Sequence, residues 1–214
     1  MNNRTFPARD AKKLEDPERL LWLPPDEVVS LLHPRQGMVI ADIGSGTGYF
    51  SIPFARQVGP TGKVYAVDVQ QEMLSLLNKK LKGVGTSSNI ELVLGDATRT
   101  NLLSESADIV FMANVWHELD HHEMVLKECG RILRKGGRIA ILDWRSDAGH
   151  PPGPPLDHRI SAESVVATLR SDGWTPAHPV NVGKYSHLVE ATRGWSGERD
   201  HSLKPFGEKR AFID

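Results

Sequence analysis

The chain has 214 residues, a length that fits one domain with a sizeable core, with or without short extensions. Its 26 lysines and arginines are balanced by 27 aspartates and glutamates, so no net positive field draws it to nucleic acid or to an anionic membrane surface. The single cysteine excludes an internal disulfide framework, and no apolar stretch reaches the roughly 18 to 20 residues that a membrane span needs. We therefore expect a cytoplasmic protein without a nucleic-acid partner. These features do not specify an oligomeric state.

The first 35 residues are predicted to form an N-terminal helical extension that lacks the apolar core of a secretory signal. Within it, residues 18–32 have an amphipathic pattern interrupted by Pro24 and Pro25. This pattern indicates one or two short helices, which we expect to lie over the carboxyl edge of a sheet.

A domain follows over residues 36–193, in which five short segments are almost continuously apolar. Such runs are typical of strands covered on both faces in a parallel sheet. The predicted strands are Met38–Ile43, Val64–Val67, Ile90–Leu94, Ile109–Ala113 and Ile139–Leu142. Helical spacing of apolar residues separates them, at Met73, Leu74, Leu77 and Leu81 and again at Val125, Leu126, Cys129, Ile132 and Leu133. The second of these helices is predicted to end at the glycines of residues 134–137.

The last part of the domain departs from this alternation. A proline-rich loop, residues 150–159, precedes a helix that is predicted to start near Ser161. Residues 174–182 and 185–192 are extended candidates separated only by Gly183 and Lys184, so these two strands must be antiparallel. We therefore predict an α/β fold, a Rossmann-like, doubly wound and mostly parallel sheet closed by an antiparallel C-terminal hairpin. Residues 194–214 are polar and aperiodic, which predicts a flexible tail.

The first predicted strand ends in a glycine-rich turn, residues 42–48, with the sequence DIGSGTG. In open α/β sheets such a turn binds a ligand at the carboxyl ends of the strands, where glycine permits close approach of the backbone. A dinucleotide turn needs a third glycine where Tyr49 stands, and no Gly-Lys-Ser/Thr exists for a phosphate loop. The carboxylate of Asp42 also favours a ligand with an amine or another cation over a pyrophosphate.

Two more acids follow predicted strands. Asp68 closes the second strand, at a position where a carboxylate can accept both hydroxyls of a ribose. Asp96 follows the third strand and can accept a hydrogen bond from an exocyclic amine such as that of adenine. Together with Asp42, they indicate a nucleoside with a cationic tail and no phosphate.

These motifs together resemble a class I S-adenosylmethionine-dependent methyltransferase over residues 18–192. The sequences ANVWHEL, ILDW and PPGPPLDHR further resemble a small-molecule subgroup near the ubiquinone/menaquinone and arsenite methyltransferases. The resemblance implies a seven-stranded sheet with an antiparallel last strand, S-adenosylmethionine as cofactor and S-adenosylhomocysteine as product. It places the cofactor against Asp42, Gly44, Ser45, Gly46, Thr47, Gly48, Asp68, Val69, Asp96, Ala97 and Asn114.

The segment after the fourth strand contains the candidates for chemistry. His117 can act as a general base near neutral pH, although a capping or loop histidine is an equal alternative. Trp116 can present an aromatic face to a sulfonium, and His158 can cover a substrate as part of the proline-rich loop. His117 and His121 have the spacing of metal ligands, but no cysteine or further acid completes a site, so we expect no metal.

The acceptor is expected to be a small molecule that the sequence does not identify. Cys129 falls on the apolar stripe of its helix, and one buried thiol is a poor match to the several cysteines that would hold a soft metalloid such as arsenite. Two other functions stay open at this point: a regulator that binds the cofactor without chemistry, and a nicotinamide-dependent oxidoreductase.

Overall fold

The computed structural model describes residues 6–84, 89–149 and 152–194, and all of the predicted tail except its first residue lies outside these ranges. The helices are α1 (Arg19–Trp22), α2 (Pro25–Leu32), α3 (Ser51–Val58), α4 (Gln71–Val84), α5 (His122–Ile132) and α6 (Ala162–Ser171). Short 3-10 helices cover Ala8–Glu15, Trp116–Glu118 and Leu156–His158. In these described ranges, no helix is long and apolar enough to cross a membrane.

The strands are β1 (Val39–Ile43), β2 (Lys63–Asp68), β3 (Ile90–Leu94), β4 (Ala107–Ala113), β5 (Leu133–Trp144), β6 (Trp174–Pro176), β7 (Val180–Val182) and β8 (Ser186–Arg193). They form one sheet in the order β3-β2-β1-β4-β5-β8-β6, with β7 also paired to β8. The first five strands are parallel, and β8 runs antiparallel to β5. The predicted mixed α/β sheet is therefore confirmed.

The strand count differs from the predicted seven because the edge strand next to β8 is broken in two. β6 pairs with the end of β8 and β7 pairs with its beginning, both antiparallel. The break falls after Pro176, which cannot donate a hydrogen bond to a sheet ladder. Two short strands thus occupy the position of one, as an edge strand permits.

The core lies on both faces of the sheet, as doubly wound folds require. On one face α5 and α6 pack Cys129, Val165 and their neighbours against β4 and β5, so the prediction that Cys129 is a core residue is confirmed. The other face holds residues of α2, α3 and α4, and the N-terminal region adds Leu23, Val28 and Leu32 to it. Because the strands are covered on both sides, ligands are left the ends of the strands, and the larger cavity lies at the carboxyl ends.

The helix boundaries follow from local capping. Ser161, at the predicted start of a helix, is the N-cap of α6, and its hydroxyl accepts a hydrogen bond from the amide of Ser164 at 3.2 Å. α5 ends at Ile132, before the predicted stop at residues 134–137, because Leu133 is already extended and pairs with Ala107. Gly136 then adopts φ +79°, which only glycine adopts without strain.

Candidate functional site

A cavity of about 1060 Å³ lies at the carboxyl ends of β1, β2 and β4. A pocket for one drug-sized ligand measures about 300 to 1,000 Å³, so this cavity has room for a cofactor and a second molecule. Twelve of the fourteen predicted site residues line it: Asp42, Gly44, Ser45, Gly46, Thr47, Asp68, Val69, Asp96, Ala97, Asn114, His117 and His158. The other two, Gly48 and Trp116, do not.

The glycine turn has three positive φ angles, +72° at Gly44, +52° at Gly46 and +83° at Gly48. Gly44 and Gly46 border the cavity, and a side chain on either would be strained. Packing also requires glycine at two of these positions, since a Cβ at Gly44 would lie 2.3 Å from Cγ2 of Val115 and a Cβ at Gly48 would lie 2.3 Å from Cδ1 of Leu77 on α4. Of the two, only Gly44 also borders the cavity. We therefore remove Gly48 from the proposed cofactor contacts and assign it to helix packing.

Asp42 and Asp68 are both buried at the cavity wall. The Ser51 hydroxyl donates to Asp42, and the amides of Gly46 and Gln70 donate to Asp68 at 2.8 and 2.9 Å. Burial raises the pKa of Asp42 to about 7 and also raises the pKa of Asp68. Asp42 is therefore only partly ionised near neutral pH. This corrects the prediction that a fully charged carboxylate stands beside the glycine turn.

The third predicted acid lies at the outer part of the cavity. Asp96 is exposed, and its Oδ1 atom accepts hydrogen bonds from the amide and hydroxyl of Thr98 at 2.8 and 2.6 Å. The exposed Val69 and the buried Ala97 line the cavity beside it. The carboxyl edges of β1, β2 and β3 thus supply one acid each to the same cavity.

Three buried polar atoms of cavity-lining residues have no hydrogen-bond partner among the described residues, namely Arg19 Nε, Ser45 Oγ and Asn114 Oδ1. Asn114 has φ +57°, a left-handed conformation that asparagine tolerates better than most residues. Buried polar atoms are rarely left without a partner unless a ligand or water supplies one. The wall of the cavity therefore fits a polar ligand such as an adenosyl amino acid.

His117 is held by an acid that the sequence analysis did not single out. Its Nδ1 atom lies 2.8 Å from Oδ1 of Asp143, and its backbone amide donates to Oδ2 of the same residue at 3.0 Å. Asp143 has no exposed surface, at the end of β5. Burial alone would lower the pKa of His117, but the Asp143 carboxylate outweighs it and raises the pKa above its ordinary value. The Asp143 carboxylate therefore stabilises the protonated imidazole of His117 at this edge of the sheet.

The N-terminal segment lies over the cavity and closes part of it. The amide of Phe6 donates to the carboxylate of Glu118, and Gln70 exchanges hydrogen bonds with Phe6 and Ala8 at 2.8 and 3.1 Å. Glu15, at the end of the first 3-10 helix, contacts the Thr47 hydroxyl and pairs with Lys80 at 2.6 Å. Burial raises the pKa of Glu118 to about 7, although His117 and the amide of Phe6 act in the opposite direction. The extension thus contributes directly to the cavity wall, whereas α2 packs on a face of the sheet.

Trp116 does not line the cavity, contrary to the prediction that its ring contacts the sulfonium or the substrate. Its ring is completely buried and stacks on His122, with ring centroids 4.1 Å apart. Residues 116–118 form a 3-10 helix that directs Trp116 into the core and His117 toward the cavity. The sequence alone does not show which of these two adjacent side chains faces the ligand. Within the described ranges, no three histidine, cysteine or acidic side chains lie close enough to hold a metal ion.

The far wall of the cavity is aromatic and proline-rich. Trp22 and Trp144 lie with ring centroids 5.2 Å apart, and residues 152–155 and His158 complete this side. Trp22 comes from the N-terminal region and Trp144 from the end of β5. Flat apolar surfaces of this kind suit a planar organic molecule better than a polar chain.

Comparisons with known proteins agree with this geometry. A family model described as a methyltransferase domain matches residues 41–141. A crystal structure of a SAM-dependent methyltransferase from Aquifex aeolicus is 33% identical, with a TM-score of 0.82, and the match covers 87% of this chain and 98% of that one.

Two curated relatives are similar over shorter shares of their length. The demethylmenaquinone methyltransferase of Lactobacillus johnsonii is 36% identical over 161 residues, 75% of this chain and 63% of that protein. The ubiquinone/menaquinone biosynthesis C-methyltransferase of Pseudomonas fluorescens is 34% identical over 116 residues, 54% of this chain and 45% of that protein. The chain therefore spans between 45% and 63% of the length of these two relatives.

Proposed function

The chain belongs to the class I S-adenosylmethionine-dependent methyltransferases, and we propose that it transfers the methyl group of this cofactor to a small-molecule acceptor. The observation that carries the proposal is that the glycine turn, Asp42, Asp68 and His117 all line one cavity with room for two molecules. We further infer that the protein has no nucleic-acid partner, from the near-zero net charge of the sequence.

The cofactor residues divide by the chemistry of their side chains. Asp68 is assigned to the ribose hydroxyls, Asp96 to the exocyclic amine of adenine, and Asp42 to the cationic amino-acid end. Asp68 also accepts from the amide of Gly46, so it fixes the glycine turn as well as the ligand. Ser45 and Asn114 offer their unpartnered oxygen atoms as additional contacts.

S-adenosylmethionine supplies a methyl group on a sulfonium, and the acceptor atom replaces the sulfur at that carbon. The chain must then align the acceptor, exclude water and take up any proton that the acceptor loses, and alignment alone corresponds to effective molarities of about 10⁵ to 10⁸ M. His117 is placed to accept this proton at Nε2, because its Nδ1 atom is engaged by Asp143. The pair indicates an acceptor that loses a proton, such as a phenol, an enol or an acidic carbon.

The acceptor is proposed to be planar because Trp22, Trp144 and the prolines form the opposite wall. Two relatives are named for methylation in quinone biosynthesis, so a reduced naphthoquinone is the first acceptor to assay. A truncated probe, 1,4-naphthoquinol, keeps the planar ring and the acidic hydroxyls.

Methyl transfer is tested with radiolabelled S-adenosylmethionine and a panel of planar phenols and enols that includes 1,4-naphthoquinol. We expect transfer that the His117→Gln variant reduces without a change in affinity for S-adenosylhomocysteine. His121→Gln is the matched control, since His121 is exposed and does not line the cavity. Tight binding of S-adenosylhomocysteine with no transfer to any acceptor would favour the non-catalytic regulator, and binding of NADH in its place would favour the oxidoreductase.

A further inference from the structure

The acids assigned above leave one charged group of the cofactor without a partner. S-adenosylmethionine ends in an amino acid, whose ammonium Asp42 can accept but whose α-carboxylate needs a cation. Three cations line the cavity: Arg9, Lys13 and Arg19. Arg9 and Lys13 are exposed, and Lys13 already pairs with Asp10, whereas Arg19 is only 7% exposed.

Arg19 is fixed in place by an aromatic ring at the end of the glycine turn. The Cζ atom of its guanidinium lies 3.8 Å from the centre of the Tyr49 ring, within the range of a cation–π contact. The Tyr49 hydroxyl donates to the carbonyl of Leu23 at 2.6 Å, which fixes the ring in turn. Since Tyr49 directly follows Gly48, the cation lies next to the turn that binds the cofactor.

The guanidinium of Arg19 has hydrogen-bond donors that the described residues do not use. Nη1 donates to the carbonyl of Leu14 at 3.1 Å, and Nε is buried without a partner. Glu15, the carboxylate that most favours the charged form of Arg19, is already taken by Lys80 and by the Thr47 hydroxyl. Burial lowers the pKa of Arg19 to about 10, so the side chain is still protonated at neutral pH. A buried cation whose neighbouring carboxylate already binds other groups is costly, which points to an anionic ligand group.

We propose that Arg19 binds the α-carboxylate of S-adenosylmethionine, an inference that rests on the proposed function. The sheet order supports this placement. Asp96 and Asp68 hold the adenine and ribose on the β3 and β2 side, so the amino-acid end extends past the glycine turn toward Tyr49 and Arg19. The carboxylate of an acidic acceptor is the other source of such a group, and the experiment separates the two.

The test compares two ligands that differ only in the carboxylate. These are S-adenosylhomocysteine and its decarboxylated analogue, S-adenosyl-3-thiopropylamine, each titrated by calorimetry into the parent protein and the Arg19→Met variant. Loss of one partner of a buried, hydrogen-bonded charge pair lowers affinity by roughly 30-fold or more. We expect the parent to prefer S-adenosylhomocysteine by about that factor, and the Arg19→Met variant to lose this preference while its affinity for the decarboxylated analogue is unchanged.

Two further variants make the test specific. Arg9→Met removes an exposed cation from the same cavity and should keep the preference, because solvent screens that charge. Arg19→Lys keeps the charge without the fork of donors and should retain part of the preference, which also covers the case in which Arg19→Met fails to fold. An Arg9→Met variant that loses the preference would overturn the assignment in favour of the overall field of the cavity.

The remaining outcomes are also decisive. A parent protein that binds both ligands equally well overturns the role of Arg19 and leaves the proposed function intact, while a parent that binds neither refutes the proposed function itself. A third outcome would assign Arg19 to an acidic acceptor instead. In that case Arg19→Met leaves the affinities for both adenosyl ligands unchanged. In the protein saturated with S-adenosylhomocysteine, it abolishes a preference for 2-naphthoate over 2-naphthamide.

Discussion

At the scale of single residues, Asp143 controls the state of His117. The carboxylate is completely buried and accepts from His117 twice and from the amide of Trp144 at 2.7 Å. Its charge therefore acts on the imidazole with little screening by solvent. This arrangement determines both which ring nitrogen carries the proton and how strongly it is held.

Replacing Asp143 with asparagine should lower the pKa of His117. The parent carboxylate stabilises the imidazolium, so its removal leaves burial as the dominant effect, and burial favours the neutral ring. Histidine-selective NMR titration should show the His117 resonances titrating at a lower pH in the variant. Methyl transfer that depends on the neutral base should rise with pH in the parent, and its midpoint should move to lower pH in Asp143→Asn. An unchanged pKa would show that the contact with Asp143 does not govern the proton.

Asp42→Asn should stabilise the protein at alkaline pH and have little effect in acid. The pKa of Asp42 rises from 3.8 to about 7 on folding, so the parent loses stability as the pH increases through this range. The asparagine variant has no such loss, and Ser51 can still donate to its amide oxygen. Urea unfolding should show a gain on the order of 4 kcal/mol at pH 8 that vanishes near pH 4. A gain that is independent of pH would contradict the buried-carboxyl explanation.

Sequence patterns predicted some of these residues and missed others for a physical reason. Asp42, Asp68 and Asp96 stand directly at strand ends beside turns, where the pattern itself indicates exposure to a ligand. Asp143 lies inside the apolar ILDW run and Arg19 in a short amphipathic helix, where an acid and a cation look like ordinary surface residues. Only the fold shows that both are buried.

At the scale of secondary-structure elements, the glycine turn joins a strand to a helix while packing against a second helix. Gly44 and Gly46 border the cavity, and Gly48 meets Leu77 of α4. The same three-glycine pattern thus serves ligand access and helix packing. The sequence does not separate these two uses, because both require the absence of a side chain.

Gly48→Ala should destabilise the fold more than Gly136→Ala. Both glycines have φ near +80°, so both alanines incur a similar backbone cost of about 1 to 2 kcal/mol. A Cβ at position 48 would also lie 2.3 Å from Leu77 Cδ1, whereas no described atom lies within 4 Å of one at position 136. Overpacking should add about 1 to 3 kcal/mol to the loss at Gly48, measured by urea unfolding. Equal losses at the two positions would show that Leu77 moves aside without cost.

The strands were predictable from sequence because five of them are apolar on both faces. The division of the edge strand into β6 and β7 was not predicted, since each has only three residues and the break between them follows a proline. Residues 8–15 lie within the predicted helical extension, but no pattern singled them out as a separate element. They have little apolar character of their own and are held by polar contacts to Gln70, Thr47 and Lys80.

At the scale of the whole molecule, helices cover both faces of the sheet, and the candidate site lies at one of its edges. The parallel strands bring their carboxyl ends to this edge, and the N-terminal segment covers part of it. The position of the site therefore follows from the topology, which the sequence predicts, whereas the shape of the acceptor side depends on loops and on the N-terminal segment. For this reason the cofactor is better defined than the acceptor.

Calorimetric titration of the full chain with S-adenosylhomocysteine, followed by NADH as a competitor, tests most directly whether this cavity binds an adenosyl amino acid. We predict saturable binding with one site per chain, loss of affinity in Asp68→Ala, and no displacement by NADH. Neither heat nor a thermal shift at millimolar S-adenosylhomocysteine, or displacement by NADH, would contradict the assignment of this cavity to an adenosyl amino acid.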